Sequence, residues 1–134
     1  MDHIGVAIAG TGFMGRVHAE ALRRIGVDVV GIAGSTRAKS NAAAEELGIP
    51  RAYESYDQLL EDRQVSAVHV ATPNDLHFDM VQRALETGRH VLCEKPLAMN
   101  SEETAELCRL SSLHPELAAG INYCLLYTSD AADE

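Results

Sequence analysis

Basic residues are scarce in this sequence: 11 Lys and Arg stand against 20 Asp and Glu, a formal net charge of −9. Nucleic acids and anionic membranes are polyanions and repel such a chain on approach, so small molecules are the expected partners. Cysteine is scarce too. Cys93, Cys108 and Cys124 form no C-x-x-C pair and leave one residue over, which argues against a disulfide framework and against a zinc site. Cys93 and Cys108 read instead as buried small hydrophobes. The histidines show no H-x-x-x-H or H-E-x-x-H spacing, so no metal is assigned. No apolar run approaches the ~20 residues that cross a bilayer, and Asp2 ahead of a Gly-rich turn is unlike a signal peptide; the expected address is the cytoplasm. Repeats, low-complexity tracts and internal linkers are absent as well.

What is present suits one domain, since 134 residues with 46% hydrophobic content bury a single core. The last eleven residues, CLLYTSDAADE from Cys124 to Glu134, differ in character from the rest and match one reading frame of a common transposase adapter. They are expected to be a non-native tail, leaving residues 1–123 as the domain.

Short apolar runs alternate with helical spacing along those residues. Ile4 to Ala9, Val27 to Ala33, Val65 to Ala71, His90 to Cys93 and Leu117 to Tyr123 read as strands, with a brief extended piece near Tyr53. Met14 to Ile25 reads as a helix burying Val17, Ala21, Leu22 and Ile25, ended by Gly26. Further helices are expected over Ala38 to Leu47, around Leu59 and Leu60, over Asp75 to Thr87, and after Asn100, where Glu103 three residues on resembles a capping box. The implied fold class is α/β: a doubly wound parallel sheet of Rossmann type, three layers deep, with right-handed crossovers. Ligands of such sheets bind beyond the carboxyl ends of the strands, which gives the loops after Ala9, Ala33, Ala71 and Cys93 one shared address.

The first of these loops, Gly10-Thr11-Gly12-Phe13-Met14-Gly15, fits G-x-G-x-x-G between a strand and a helix. In that frame Gly10 allows the tight turn, Gly12 lets backbone approach a pyrophosphate, and Gly15 lets helix pack closely on strand, while Phe13 and Met14 open the helix whose N–H groups face the phosphates. An acidic residue normally ends the second strand, where it binds the adenosine ribose of NAD. Gly34 stands there instead, followed by Ser35, Thr36 and Arg37, two hydroxyls and a guanidinium with no carboxylate to repel a 2′-phosphate. NADP is therefore expected over NAD, although Ser or Thr is also an ordinary helix N-cap.

The stretches VATPNDLH and ALETGRHVLCEKPLA, in this order after G-x-G-x-x-G, resemble the N-terminal domain of the Gfo/Idh/MocA oxidoreductases, and the resemblance covers residues 4–123. It implies that Lys95 of the Glu-Lys-Pro triplet is catalytic, lying by the nicotinamide and the substrate hydroxyl, and that Glu94 holds the nicotinamide ribose. A lysine suits the task because its flexible ammonium donates to a substrate oxygen. Thr72, Pro73 and Asn74 would cover the dinucleotide largely through backbone groups. His77 matches the family's histidine after this segment, and equally suits packing or capping in a first helical turn. The resemblance further implies hydride transfer to or from a sugar, polyol or related substrate. It also implies a substrate domain, missing here, that completes proton transfer and forms homo-oligomers. Two other readings stay open: a redox-assisted lyase or glycosidase, and a non-catalytic dinucleotide-sensing regulator.

Overall fold

The computed structural model describes residues 3–122. Six strands, β1 (Gly5–Ala9), β2 (Asp28–Ala33), β3 (Arg51–Tyr53), β4 (Ala67–Val70), β5 (His90–Glu94) and β6 (Ala119–Asn122), alternate with five helices, α1 (Phe13–Arg24), α2 (Arg37–Leu47), α3 (Tyr56–Glu61), α4 (His77–Glu86) and α5 (Ser101–Leu113). The strands pair in parallel in the order β3-β2-β1-β4-β5-β6. The order reverses between β1 and β4. That is the Rossmann arrangement, and the crevice outside this reversal is where such sheets take ligands.

Alternation along β1 splits the interior into two cores. Val6 and Ile8 face α1 and α2 and pack with Leu22, Ile32 and Ala43, whereas Ala7 and Ala9 face the other layer and pack with Leu59, Val68, Leu85 and Leu107. All five residues of β1 are buried, as the central strand of a doubly covered sheet requires.

Local chemistry sets the helix ends. Gly26 (φ +78°) and Gly48 (φ +64°) follow α1 and α2 in left-handed backbone, and Gly48 returns its N–H to the Glu45 carbonyl. At the other ends Thr36, Ser55 and Asn100 cap α2, α3 and α5 with a side-chain oxygen; Asn100 Oδ1 accepts from the Glu103 N–H at 2.8 Å. The helix expected from Asp75 begins with a 3-10 turn, Asn74–Leu76, because Pro73 at its head is extended (ψ 149°).

Two expectations are overturned. Cys93 is buried, but Cys108 is exposed: α5 turns Leu107 and Leu110 inward, and the residue after Leu107 is rotated about 100° away from the core. On α1 the buried residues are Gly15, His18, Ala19 and Leu22, while Val17 and Ile25 face outward, Ile25 at 74% exposure. A Cβ on Gly15 would stand 2.1 Å from the Gly10 carbonyl oxygen, so the contact of this glycine with the turn sets the rotation of the whole helix. The expected tail lies outside the described residues.

Candidate functional site

At the carboxyl ends of β1, β2 and β4 a cleft of about 760 Å³ opens, lined among others by Gly10, Gly12, Gly34, Ser35, Thr72 and Pro73. Its floor is the Gly-rich turn. Gly10 sits at φ +120°, a backbone disfavoured for other residues, and a Cβ there would lie 2.3 Å from the Ala71 carbonyl oxygen of the neighbouring strand end. The Gly10 N–H donates to the Ala33 carbonyl at 2.8 Å, which locks the turn against β2.

Gly12 contrasts with both neighbouring glycines, because a Cβ added there would meet nothing within 4 Å. The protein does not need glycine at that point; space outside it does. Gly12 is also the N-cap of α1 and gives no side-chain cap, and the first turn holds no acidic residue. The first N–H groups of a 12-residue helix thus face the cleft without a side-chain acceptor, a ready anion site. An uncapped helix start, a glycine with no side chain at Gly12 and an open space beside it fit a pyrophosphate. Phe13 and Met14 line the cleft at this helix start, Phe13 at 78% exposure.

At the end of β2, Ser35 lines the cleft, but Thr36 and Arg37 do not. Thr36 is occupied as the α2 cap, its Oγ1 accepting from the Lys39 N–H at 3.2 Å. Arg37 reaches Glu54 instead, Nη1 to Oε1 at 2.5 Å. The cation that lines the cleft is Lys39, which the sequence reading did not single out. Buried Ser40 ties this corner together, accepting from the Gly34 N–H at 2.8 Å and donating to the Thr36 carbonyl at 3.1 Å. The segment Glu54-Ser55-Tyr56 after β3 closes the cleft on one side. Parallel pairing delivers its start to the same sheet edge, a signal that a three-residue strand is too short to show in sequence.

On the other side, Thr72 and Pro73 line the cleft and Asn74 does not. The Thr72 hydroxyl donates to Met80 Sδ at 3.4 Å. His77 is 1% exposed, and its Nδ1 and Nε2 stand 2.6 Å and 2.8 Å from the Pro96 and Thr72 carbonyl oxygens. With both ring nitrogens so placed, His77 bridges the loop after β4 to the loop after β5, and neither nitrogen is left for a ligand.

Glu94 and Lys95 lie one strand further along. Val70 pairs with Cys93, so Ala71 in the cleft wall and Glu94 are the next residues of adjacent strands. Lys95 is exposed and forms no salt bridge among the described residues. Glu94 is buried, with Oε1 accepting from His18 Nε2 at 2.7 Å and from Asn122 Nδ2 at 2.6 Å. Burial works to raise its pKa, but the bonds from His18 and Asn122 hold the carboxyl below its ordinary value. Beyond His18, His69 Nδ1 stands 2.8 Å from His18 Nδ1; burial and the neighbouring His18 lower the His69 pKa to about 4. His18, His69 and Asn122 belong to no short motif, and only the fold brings them to Glu94. No group of three or more His, Cys, Asp and Glu among the described residues is arranged to hold a metal, and no helix among them is long and apolar enough to cross a membrane.

Residues 4–117 match the family model described as an oxidoreductase family with an NAD-binding Rossmann fold. An uncharacterized oxidoreductase of Rhizobium meliloti is 42% identical over 113 residues, covering 81% of this chain and 34% of the relative. A D-xylose 1-dehydrogenase (NADP(+)) of Haloferax volcanii is 49% identical over 78 residues, 58% of this chain and 24% of the relative. Among solved structures, an NAD-binding oxidoreductase of Klebsiella pneumoniae superposes with a TM-score of 0.86 at 30% identity, over 90% of this chain and 34% of that one. The chain thus spans about a third or less of the length of these relatives. The family model covers most of the chain and the sheet order and Gly-rich turn agree with it, so the chain belongs to the Gfo/Idh/MocA oxidoreductase family, in its NAD-binding Rossmann domain.

Proposed function

We propose that this chain is the nucleotide-binding domain of an NADP-preferring dehydrogenase or reductase that acts on a sugar, polyol or related substrate. The observation that carries the reading is the Gly12 corner: a turn whose glycine leaves an open space at an uncapped helix start. When bound, the nicotinamide supplies or accepts the hydride. Phe13, Met14 and Gly15 present the helix-start N–H groups to the pyrophosphate. Ser35 and Lys39 take the adenosine side, Arg37 assisting once it leaves the exposed Glu54, since a surface ion pair of this kind is worth only ~0–1 kcal/mol. The end of β2 carries Gly34 in place of the carboxylate that would select NAD, and this supports NADP, as does the NADP named for the Haloferax relative.

Glu94, held as a carboxylate, accepts from the nicotinamide ribose, and Lys95 reaches the substrate oxygen, its ammonium donating the proton when a carbonyl is reduced and its neutral amine receiving the proton when a hydroxyl is oxidised. His77 keeps the two loops in register. Substrate positioning is assigned to the length of the relatives that lies outside the match, together with any oligomer contacts. In the full-length gene product, Lys95→Ala is expected to cut turnover on a panel of sugars and polyols at least about a hundredfold, the usual scale of general acid–base catalysis, with NADPH affinity nearly unchanged. Near-normal turnover would remove Lys95 from the mechanism.

A further inference from the structure

His18 lies on the buried face of α1 between Gly15, Ala19 and Leu22, where a small apolar residue would pack. An imidazole in such a place is costly unless it is hydrogen-bonded. Its partner is Glu94, 76 residues away in the sequence, and both are at most 9% exposed. A carboxylate oxygen only accepts, so His18 Nε2 carries the proton between them. Asn122, from β6, donates to the same Oε1, and three elements thereby converge on one oxygen. Oε2 is left without a side-chain partner among the described residues.

We propose that His18 is a positioning residue of the dinucleotide site: its Nε2–H fixes the Glu94 carboxylate at the end of β5 so that Oε2 meets the hydroxyls of the nicotinamide ribose. This rests on the reading of Glu94 given above. Without His18 the buried carboxylate would keep Asn122 as its one side-chain donor beside the Lys95 backbone N–H, so that fewer bonds would fix its orientation and its charge. His69 stands behind His18, on the far side from Glu94, and steadies the ring through the contact between the two Nδ1 atoms. His18 is therefore held at both ends, as a group that orients another must be.

The two amide replacements of histidine separate orientation from space filling. His18→Gln sets its amide nitrogen close to the place of Nε2 and keeps the donor to Glu94; His18→Asn sets it close to Nδ1, keeping His69 and losing Glu94. The 134-residue chain is titrated with NADPH and with ADP, which lacks the nicotinamide ribose. His18→Asn is expected to weaken NADPH about tenfold or more, the scale of a lost charge-assisted bond, and to leave ADP unchanged. His18→Gln is expected to stay within about threefold for both ligands. Equal NADPH affinity in the Asn and Gln variants would overturn the assignment. Glu94→Gln separates the two levels: if it leaves NADPH affinity intact, the reading of Glu94 falls, whereas if it weakens NADPH and His18→Asn does not, the role of His18 alone falls. A variant that does not fold is bypassed by imidazole-nitrogen NMR of the unsubstituted chain. There NADPH is expected to shift the His18 Nε2 resonance and ADP to leave it in place; a resonance indifferent to NADPH contradicts the proposal.

Discussion

Arg37 is paired with Glu54, a residue of the cleft wall, so the guanidinium that follows β2 is held by the segment that follows β3. Lys39, two residues further along α2, is the cation that lines the cleft. Both cations are therefore expected to contribute to NADP selection, Lys39 directly and Arg37 after exchange of partners. Titration should show Lys39→Ala weakening NADPH by about tenfold with little effect on NADH, and Arg37→Ala weakening NADPH less, as expected for charge-assisted contacts partly open to solvent. Equal losses for the two cofactors would contradict this. Gly34→Asp, the obvious route to NAD preference, carries a steric cost, because its Cβ would stand 2.8 Å from Thr11 Cγ2 and 3.0 Å from Lys39 Cβ.

The glycines of the turn separate folding from binding. Gly15→Ala places a methyl 2.1 Å from a backbone oxygen and must shift α1 against β1, with an expected loss of about 1–3 kcal/mol in urea unfolding. Gly12→Ala meets nothing in the protein and is expected to stay within about 1 kcal/mol of the parent, the cost of a poorer N-cap, while losing most of its NADPH affinity. Retained affinity in Gly12→Ala would show that the pyrophosphate does not approach there.

The strands, the Gly-rich turn and the family were legible because they are written in contiguous runs: β1 is five apolar or small residues, and Gly10 to Gly15 sit between a strand and a helix. The rotation of α1 was not. Apolar spacing favoured Val17, Ala21 and Ile25, yet Gly15, His18 and Ala19 face inward, since close packing of small residues and one bonded imidazole leave no mark on a hydropathy pattern. For the same reason His18 went unremarked as a partner of Glu94. His77 was legible as a position but not as a bridge, because the two groups its ring nitrogens meet are backbone carbonyls on separate loops.

Stability is expected to fall in mild acid. The His69 pKa is lowered to about 4 by burial and by His18, so between its ordinary value of 6.5 and about 4 the unfolded chain binds a proton that the folded chain refuses. The unfolded state binds more protons in that window, and folding stability therefore rises with pH across it and levels off above. Its partial exposure sets the loss on the order of 2 kcal/mol from pH 7 to pH 4.5. Glu94, whose carboxyl is held below its ordinary value, adds to the loss in the same direction at lower pH still. Urea unfolding of the parent and of His69→Asn at both pH values checks this: the variant should show the shallower dependence, and parallel curves would place the effect elsewhere.

The most direct measurement is a fluorescence titration of NADPH and NADH into the 134-residue chain, with circular dichroism confirming the fold and with Gly12→Ala alongside. Saturable binding is expected, tighter for NADPH than for NADH and lost in the variant. A folded chain that binds neither cofactor up to millimolar concentration would contradict the assignment of the cleft as a dinucleotide site.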